Sequence, residues 1–346
     1  MPKNLRVHLR GNRFTLGAVA PRGALSVVEQ VSGAKCELDP NQPTSGRLEL
    51  AKWIVHPDNP LTARVMVNRV WQHHFGRGLV ATSDNLGTRG ETPTHPELLD
   101  WLARQFVEGK WSVKRLHRLI VLSNTYQQSV RASEGADRLD PDRRWRSSFV
   151  RRRLSAEELR DAILAVSGAL DRRAGSDESG EFLFGKAEDI NAMIRPNRVT
   201  SDDPFYTQFR KRSVYLPVVR NMLPDVLALF DAADPNSVTP VRNETTVASQ
   251  ALFLLNNPLV RDEAKAVAER MLADAGVTDE ARVNRLHRTA FGRDATDDEQ
   301  RDAIAFVATY VRTAEARGIA TDAAKLRAWQ SYVQSLWCSN EFLYVE

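Results

Sequence analysis

The segment 45–80, SGRLELAKWIVHPDNPLTARVMVNRVWQHHFGRGLV, constrains the fold more than any other part of the chain. It predicts two helices joined at Asn59-Pro60, because proline ends one helix and is tolerated before the next. In the second helix, residues 61–75, apolar side chains occupy nearly every side, so this helix is expected inside a hydrophobic core. It also carries polar side chains, whose burial requires partners. These polar side chains are Arg64, Asn68, Arg69, Gln72, His73 and His74.

The polar side chains of helix 61–75 fall on two stripes. At about 100° per residue, Arg64, Asn68 and Gln72 share one face. Arg69 and His73 share a second face. Two interpretations remain open, a ligand-binding polar set or a network that ties the helix to its neighbours. The cost of burying an unpaired amide or guanidinium favours the network.

The histidine pair in this helix is poorly placed for a metal ion. His73 and His74 are adjacent, so their side chains point about 100° apart and rarely share one ion. The chain has no His-Glu-x-x-His motif, and the fold would have to gather His56, His95 and His117. We therefore predict no metal site.

Composition excludes several classes of protein. The chain has 346 residues, 42% hydrophobic and 27% charged, which is typical of a soluble globular protein. No apolar run approaches the roughly 18 residues that a membrane span needs. The basic N-terminus lacks the apolar stretch of a signal peptide, so we expect a cytoplasmic chain or the downstream part of a longer exported one. Two cysteines, Cys36 and Cys338, allow at most one disulfide and supply no haem-attachment or zinc motif.

The pattern along the chain predicts a mostly α, multi-helix globular protein. Residues 1–44 are expected to be extended or loop, and residues 45–346 to form one domain. Its helical parts, about 45–170 and 212–346, are joined by a long loop, 171–211, and are expected to pack as one unit. A short strand is predicted at 213–216. Several helix starts carry a capping box, a Ser or Thr followed three residues later by Glu. These boxes are Thr94 with Glu97, Ser155 with Glu158, and Thr296 with Glu299.

The segment 143–153, RRWRSSFVRRR, concentrates positive charge. Six arginines alternate with Trp145 and Phe149, a composition that suits a polyanion-binding surface. Acidic residues follow directly in the sequence at Glu157, Glu158 and Asp161. The alternative, which we favour, is that the arginines form ion pairs with them within the fold. The front of the chain, 1–150, has 22 basic and 14 acidic residues, a net charge of +8. The residues proposed for polyanion contact are Arg143, Arg144, Arg146 and Arg151.

Familiar catalytic templates are missing from the sequence. There is no phosphate-binding Walker loop, no Gly-x-Gly-x-x-Gly after a predicted strand and no Gly-x-Ser-x-Gly elbow. Carboxylates are plentiful, but no pair stands out as an acid and base couple. No reaction can be assigned from these residues alone.

Several ordered motifs nevertheless resemble those of a known family. The motifs are NPLTARV at 59–65, NR-x-W at 68–71, FG-x-GLV at 75–80, THPELLDWL at 94–102, RRL at 152–154, FD at 230–231, QAL at 250–252 and SNEF at 339–342. With these motifs the chain is similar to the domain of unknown function 1553 family, the PSD-type C-terminal domain of planctomycete cytochrome-c-associated proteins. The resemblance covers most of the chain from residue 45 onward.

The resemblance implies a setting rather than an activity. Family members usually carry upstream domains with a haem-binding Cys-x-x-Cys-His motif and an export signal. Neither occurs here, so we expect a stand-alone or shortened chain. We also expect it to hold no cofactor, because haem would belong to an absent upstream domain. The resemblance suggests an extracytoplasmic location and, as partners, a cytochrome-like domain or an envelope protein or glycan. Around Thr245–Gln250 the chain departs from the usual Thr-Pro-Leu-Gln pattern.

Three functions stay open at this point. The favoured hypothesis is a non-catalytic accessory or binding module working with exported redox or polysaccharide-processing machinery. The alternatives are a hydrolase acting on glycans or their esters, and polyanion binding through 143–153, with nucleic acid the least expected ligand. The hydrolase hypothesis requires a polar network assembled from distant motifs. Its expected members are Arg64, Asn68, Arg69, Trp71, Arg152, Arg153, Asp231 and Gln250.

Overall fold

A computed structural model describes residues 3–39, 44–131, 134–173, 204–216, 218, 220 and 223–345. The chain divides into two compact units, Met1–Val150 and Arg151–Glu346. Helices dominate both units, which confirms the mostly α prediction. Most of the predicted central loop, residues 174–203, lies outside the described residues. The prediction that the two helical parts pack together stays a prediction.

The N-terminal segment contains a strand pair and a helix. Strand β1 (Leu5–His8) pairs antiparallel with β2 (Leu16–Ala20), as expected for extended structure. Helix α1 (Ser26–Ser32) follows, where the sequence predicted only loop. Its three valines weaken the helical pattern, since β-branched residues have low helix propensity. The helix forms because Val28 is buried in a small cluster that includes Trp53.

The first unit is built mainly from helices α2 to α5. They are α2 (Arg47–Ile54), α3 (Thr62–Phe75), α4 (Pro96–Glu108) and α5 (Val113–Val121), followed by the short α6 (Glu134–Leu139). Helix α3 packs against α4, and both contact α5. Their apolar faces form the core of this unit.

The start of α4 differs from the predicted capping box. The N-cap is His95, no side chain accepts a hydrogen bond there, and Pro96 is the first helical residue. Thr94 instead donates its backbone N–H to the carbonyl of Leu79, at 2.9 Å. The predicted Thr94–Glu97 box is therefore wrong, because Thr94 is bound to a loop. The other two boxes, at Ser155 and Thr296, are present.

The second unit contains the remaining elements. They are β3 (Arg152–Arg153), α7 (Ala156–Ser167), α8 (Pro204–Thr207), α9 (Asp225–Leu229), α10 (Ala248–Asn256), α11 (Pro258–Leu272), α12 (Asp279–Phe291), α13 (Asp297–Glu315), α14 (Thr321–Trp337), α15 (Asn340–Leu343) and β4 (Tyr344–Val345). Strands β3 and β4 pair antiparallel. Helix α14 packs along both α11 and α13, and α7 lies against α11. Within the described residues, no helix has the length and apolar character needed to cross a membrane.

The strand predicted at 213–216 is a 3₁₀ helix, Ser213–Tyr215. The carboxylate of Asp161 accepts hydrogen bonds from the backbone N–H and the hydroxyl of Ser213, both at 2.7 Å. These bonds hold the chain in a turn. The predicted strand is therefore wrong, because a side chain distant in sequence decides the local conformation.

A buried amide fixes the loop that follows α3. The side chain of Asn68, fully buried, accepts a bond from the N–H of Val80 and donates one to its carbonyl, each at 2.9 Å. Gly78 lies beneath this amide. A Cβ on Gly78 would lie 2.5 Å from the Val80 carbonyl oxygen and 2.8 Å from the amide of Asn68. The loop can close only because residue 78 has no side chain.

We predict that Gly78→Ala lowers the free energy of unfolding by about 1–3 kcal/mol, because a methyl group would push the loop away from Asn68. Urea unfolding followed by circular dichroism measures the change. Gly23→Ala is the control, since a Cβ there meets nothing within 4 Å. Equal losses of stability in the two variants would contradict the conclusion that the loop closes only because residue 78 has no side chain.

Candidate functional site

The first polar stripe of α3 is used within the first unit. Arg64 binds the carboxylate of Asp100 at 2.6 Å and the carbonyl of Pro60 at 2.7 Å. Gln72 accepts a hydrogen bond from the hydroxyl of Ser83 at 2.5 Å. Together with the Asn68 amide, these contacts tie α3 to α4 and to the loop after α3. This stripe acts as a structural network.

The second stripe is exposed. Arg69 and His73 both face solvent. The expectation that α3 is buried on nearly every side is therefore wrong on this face. The sequence misleads here because Val65 and Met66, which suggested all-round burial, are themselves only partly buried.

His74 pairs with another histidine instead of with its neighbour His73. Its Nε2 lies 2.7 Å from Nδ1 of His117, and the ring of Tyr126 packs edge-on against it. Burial, followed by the positive fields of His117 and His73, lowers the pKa of His74. The contact is a hydrogen bond between the two imidazole rings, and the tautomers decide which ring donates. Among the described residues, no group of three or more metal-ligating side chains is suitably placed for an ion.

In the second unit, Arg153 is the centre of a buried network. Its guanidinium binds the carboxylate of Asp231 at 2.7 Å, the carbonyl of Thr245, and the side-chain oxygen of Gln250 at 3.3 Å. It also lies 5.7 Å from the ring centroid of Phe230. Three segments that are far apart in sequence therefore meet at one side chain.

Asp231 is held in a strained conformation by this network. Its φ is +59°, in the left-handed region that non-glycine residues rarely adopt. Its carboxylate also accepts the N–H of Thr245 at 2.8 Å. Burial opposes ionisation, but the bonds from Thr245 and Arg153 outweigh it and lower the pKa of Asp231. The ionised carboxylate of Asp231 holds the segments around Arg153 and Thr245 together through hydrogen bonds. Because it carries no proton, it is poorly suited to act as a general acid.

The arginine cluster 143–153 is largely engaged within the fold. Arg146 binds the carbonyls of Phe75 and Arg77, and burial lowers its pKa to about 10. Arg143 donates to the carbonyl of Phe149 at 3.1 Å, and Arg152 forms a two-bond pair with Glu158. These contacts favour the structural interpretation of the cluster over polyanion binding.

The predicted network residues thus fall into separate sets. Arg153, Asp231 and Gln250 lie together in the second unit, where Arg152 binds Glu158 nearby in sequence. Arg64 and Asn68 bind partners within the first unit, Arg69 is exposed, and Trp71 packs against Phe75 with ring centroids 4.2 Å apart. The predicted convergence of the two sets stays a prediction.

An apolar groove of about 580 Å³ lies between α4 and α5 in the first unit. Its most prominent side chain is Trp101, which is 45% exposed, and Trp71 lies at its base. Arg115 and Arg118 stand at the rim, and neither forms an ion pair among the described residues. The other lining residues are Leu98, Leu102, Gln105, Leu119, Ile120, Leu122, Ser123 and Thr125.

The lining of the groove combines apolar surface with positive charge. It combines an exposed indole face, aliphatic walls and two free guanidinium groups. Among the described residues that line it there is no carboxylate, histidine or cysteine to act as base or nucleophile. Its volume lies within the roughly 300–1,000 Å³ typical of ligand sites. The indole Nε1 of Trp71 is buried and finds no acceptor among the described residues.

The groove was not predicted from the sequence. Polar residues on a buried helix stand out in a sequence, whereas the groove depends on apolar residues that remain exposed. A signal was present, because Leu98, Trp101 and Gln105 form a helical stripe beside the core-facing residues of α4. A second signal came from Leu119 on α5 and Leu122 at its C-cap, which are apolar residues beyond those that the core buries.

The fold is that of a mostly helical protein, and its first unit carries an apolar groove with two arginines at the rim. Residues 46–307 match the model of a family described as PSD1, a protein of unknown function (DUF1553). The match covers more than half of the chain, which therefore belongs to this family and confirms the resemblance found in its motifs. No match to the chain was found among curated proteins or among solved structures.

We predict that Asp231→Asn lowers the free energy of unfolding by about 3 kcal/mol, because it leaves the buried guanidinium of Arg153 without a counter-charge. Asparagine tolerates the positive φ, so backbone strain is not the cause. Chemical denaturation measures the loss. The control is Asp294→Asn in the exposed pair with Arg288, where solvent screens the charges and we expect a much smaller loss.

The pair between Arg152 and Glu158 predicts a specific acid dependence. Bonds from Arg152, opposed by burial and aided by the N–H of Ser155, lower the pKa of Glu158 from 4.5 to about 2. A depressed folded-state pKa stabilises the fold fully above pH 4.5 and progressively less as the pH falls to about 2. Glu158→Gln should therefore cost stability at pH 7, and this difference from wild type should shrink below pH 4.5. Denaturation at a series of pH values tests this, and a constant difference would refute it.

Proposed function

We propose that this chain is a non-catalytic accessory module that binds an acidic oligosaccharide in the groove between α4 and α5. The exposed indole of Trp101 in that groove is the observation that carries the proposal. The favoured setting is the one implied by the motifs, an exported assembly that handles redox chemistry or polysaccharides.

The indole supplies a surface for the apolar face of a sugar ring. A pyranose presents C–H groups on one face and hydroxyls at its edge, so it needs an aromatic platform bordered by hydrogen-bonding groups. Gln105, Ser123 and Thr125 line the same groove and supply polar side chains. The unpartnered Nε1 of Trp71 supplies a further donor for a ligand oxygen.

The two rim arginines select an acidic ligand. Planar guanidinium groups bind carboxylates and sulfates through paired hydrogen bonds. Because Arg115 and Arg118 have no ion-pair partner within the described chain and no carboxylate lines the groove, a uronate or sulfate group would meet uncompensated positive charge. Two cations are too few to follow a nucleic-acid backbone, which argues for a glycan over single-stranded DNA or RNA.

A hydrolase is less well supported. The buried Arg153 network holds a carboxylate whose pKa is lowered, and both terminal nitrogens of the Arg153 guanidinium are bound to partners within it. A glycosidase needs one carboxyl group with a raised pKa to protonate the leaving group. Among the described residues, the network offers no such acid.

We predict that Trp101→Ala weakens binding of a galacturonate tetramer about tenfold or more. A tryptophan that a bound ligand covers contributes much of the binding energy of such a contact. Isothermal titration calorimetry measures the affinity, with neutral cellotetraose and a dT12 oligonucleotide as comparison ligands. Trp145→Ala is the matched control, because Trp145 is 63% exposed in the same unit and lies outside the groove.

The double variant Arg115→Gln with Arg118→Gln should weaken binding of the uronate tetramer and leave any affinity for cellotetraose unchanged. Absence of uronate binding, or equal loss with Trp145→Ala, would refute the proposal. Preferential binding of dT12 would replace the glycan with nucleic acid as the ligand.

A further inference from the structure

A second cavity, of about 370 Å³, lies in the other unit at the junction of α12, α13 and α14. It opens to solvent and is lined by aromatic rings, hydroxyl groups and carboxylates. It shares no residue with the groove of the first unit, and no part of the proposed function uses it.

The cavity contains a buried histidine with an unsatisfied nitrogen. His287 is 1% exposed, and its Nε2 lies 3.1 Å from the hydroxyl of Tyr332. Its Nδ1 is buried without a partner among the described residues, 3.8 Å from the nearest carboxylate oxygen of Glu299. Buried polar groups are almost always hydrogen-bonded, so an orphan nitrogen beside a cavity indicates a missing partner.

The imidazole is neutral and can accept a hydrogen bond at Nδ1. Burial lowers the pKa of His287 and raises the pKa of Tyr332 to about 12, so neither group is charged at neutral pH. A hydroxyl both donates and accepts. Tyr332 can therefore accept the Nε2–H of His287, which leaves Nδ1 as an acceptor for a donor on a ligand.

The charges around the cavity favour a cation. Glu299, Asp302 and Glu341 line it, and Arg293 binds both Glu299 and Glu341 at 2.7 Å. Asp302 is contacted only at 3.8 Å, by Arg301. Three carboxylates against two guanidinium groups leave an excess of negative charge at the opening.

Aromatic rings supply the second requirement for an organic cation. The rings of Phe306 and Tyr332 lie with centroids 6.4 Å apart, and Phe306 is 42% exposed at the rim. The negative face of such rings attracts ammonium groups, most strongly where water is partly excluded. An ammonium with an apolar body would contact the rings and the carboxylates together.

We propose that this cavity binds a protonated organic amine, whose N–H donates to Nδ1 of His287 while its alkyl body packs against the rings of Phe306 and Tyr332. The carboxylate of Asp302 supplies the counter-charge. The ligand class is an alkylammonium, supplied either as a free amine or as a lysine side chain of another protein.

The test is a titration of the uniformly ¹⁵N-labelled protein with n-butylammonium, read by the ring-nitrogen shifts of His287. We expect a saturable shift of the His287 Nδ1 resonance. The neutral 1-butanol should not produce it, and tetramethylammonium, which has no N–H, should bind at least threefold more weakly. Equal binding of 1-butanol, or no shift with butylammonium, would overturn the proposal.

Surface variants keep the test independent of folding. Asp302→Asn and Phe306→Ala should each weaken butylammonium binding about threefold. Asp298→Asn is the matched control, since both aspartates are 79% exposed on the same helix and contact Arg301. Equal effects of Asp298→Asn and Asp302→Asn would also overturn the proposal.

A final comparison distinguishes the two sources of the ligand. Nα-acetyl-lysine methylamide carries the same ammonium with a peptide backbone attached. Binding at least tenfold tighter than butylammonium would assign the cavity to a protein lysine, and similar or weaker binding would assign it to a free amine. Because the cavity lies in the second unit, failure of this proposal leaves the glycan proposal for the first unit intact.

Discussion

Every polar group removed from water in this protein needs a partner, and that requirement organises both units. Arg153 shows it most clearly, because one buried guanidinium joins Asp231, Thr245 and Gln250 across more than ninety residues of sequence. Removing the Asp231 carboxylate would leave the guanidinium without a counter-charge in a low-dielectric interior, and removing the Gln250 amide would take away one of its acceptors. Asn68 has the same role on a smaller scale, holding the loop at Val80 against α3. The motifs rich in Arg, Asn and Asp are therefore explained first by folding.

The sequence predicts local structure well where the signal is local. Ser155 and Thr296 cap their helices because a hydroxyl and a glutamate three residues apart satisfy the exposed N–H groups directly. Prediction fails where a distant group decides the outcome. Thr94 is drawn to the Leu79 carbonyl, Ser213 is held in a turn by Asp161, and α1 forms because Val28 is buried. None of these partners is adjacent in sequence.

The site was predicted less well than the fold, and for a physical reason. Polar residues on an apolar helix attract attention because their burial is costly, yet that cost is what makes them find partners and become structural. The groove between α4 and α5 arises in the opposite way, from apolar side chains that the core leaves exposed. Only tertiary packing decides which of the apolar residues on α4, Leu99 or Trp101, is buried and which faces solvent.

The buried polar networks and the exposed groove therefore have different roles in this protein. The networks around Arg153 and Asn68 fix the positions of helices and loops, while the groove keeps unpaired guanidinium groups and an exposed indole. Groups that are already satisfied have little to offer a ligand, whereas unsatisfied groups at a concave surface do. The His287 cavity in the second unit also combines a concave surface with an unsatisfied polar group, but its lining carries carboxylates where the groove carries arginines.

The most direct measurement is ¹⁹F NMR of the protein labelled with 5-fluorotryptophan, titrated with an acidic oligosaccharide. The chain has seven tryptophans, so each reports on its own surroundings. The account predicts saturable shifts of the Trp101 and Trp71 signals while Trp145 and Trp329 stay unchanged. Shifts at Trp145 alone, or no shift at Trp101, would contradict the assignment of the groove as the binding site.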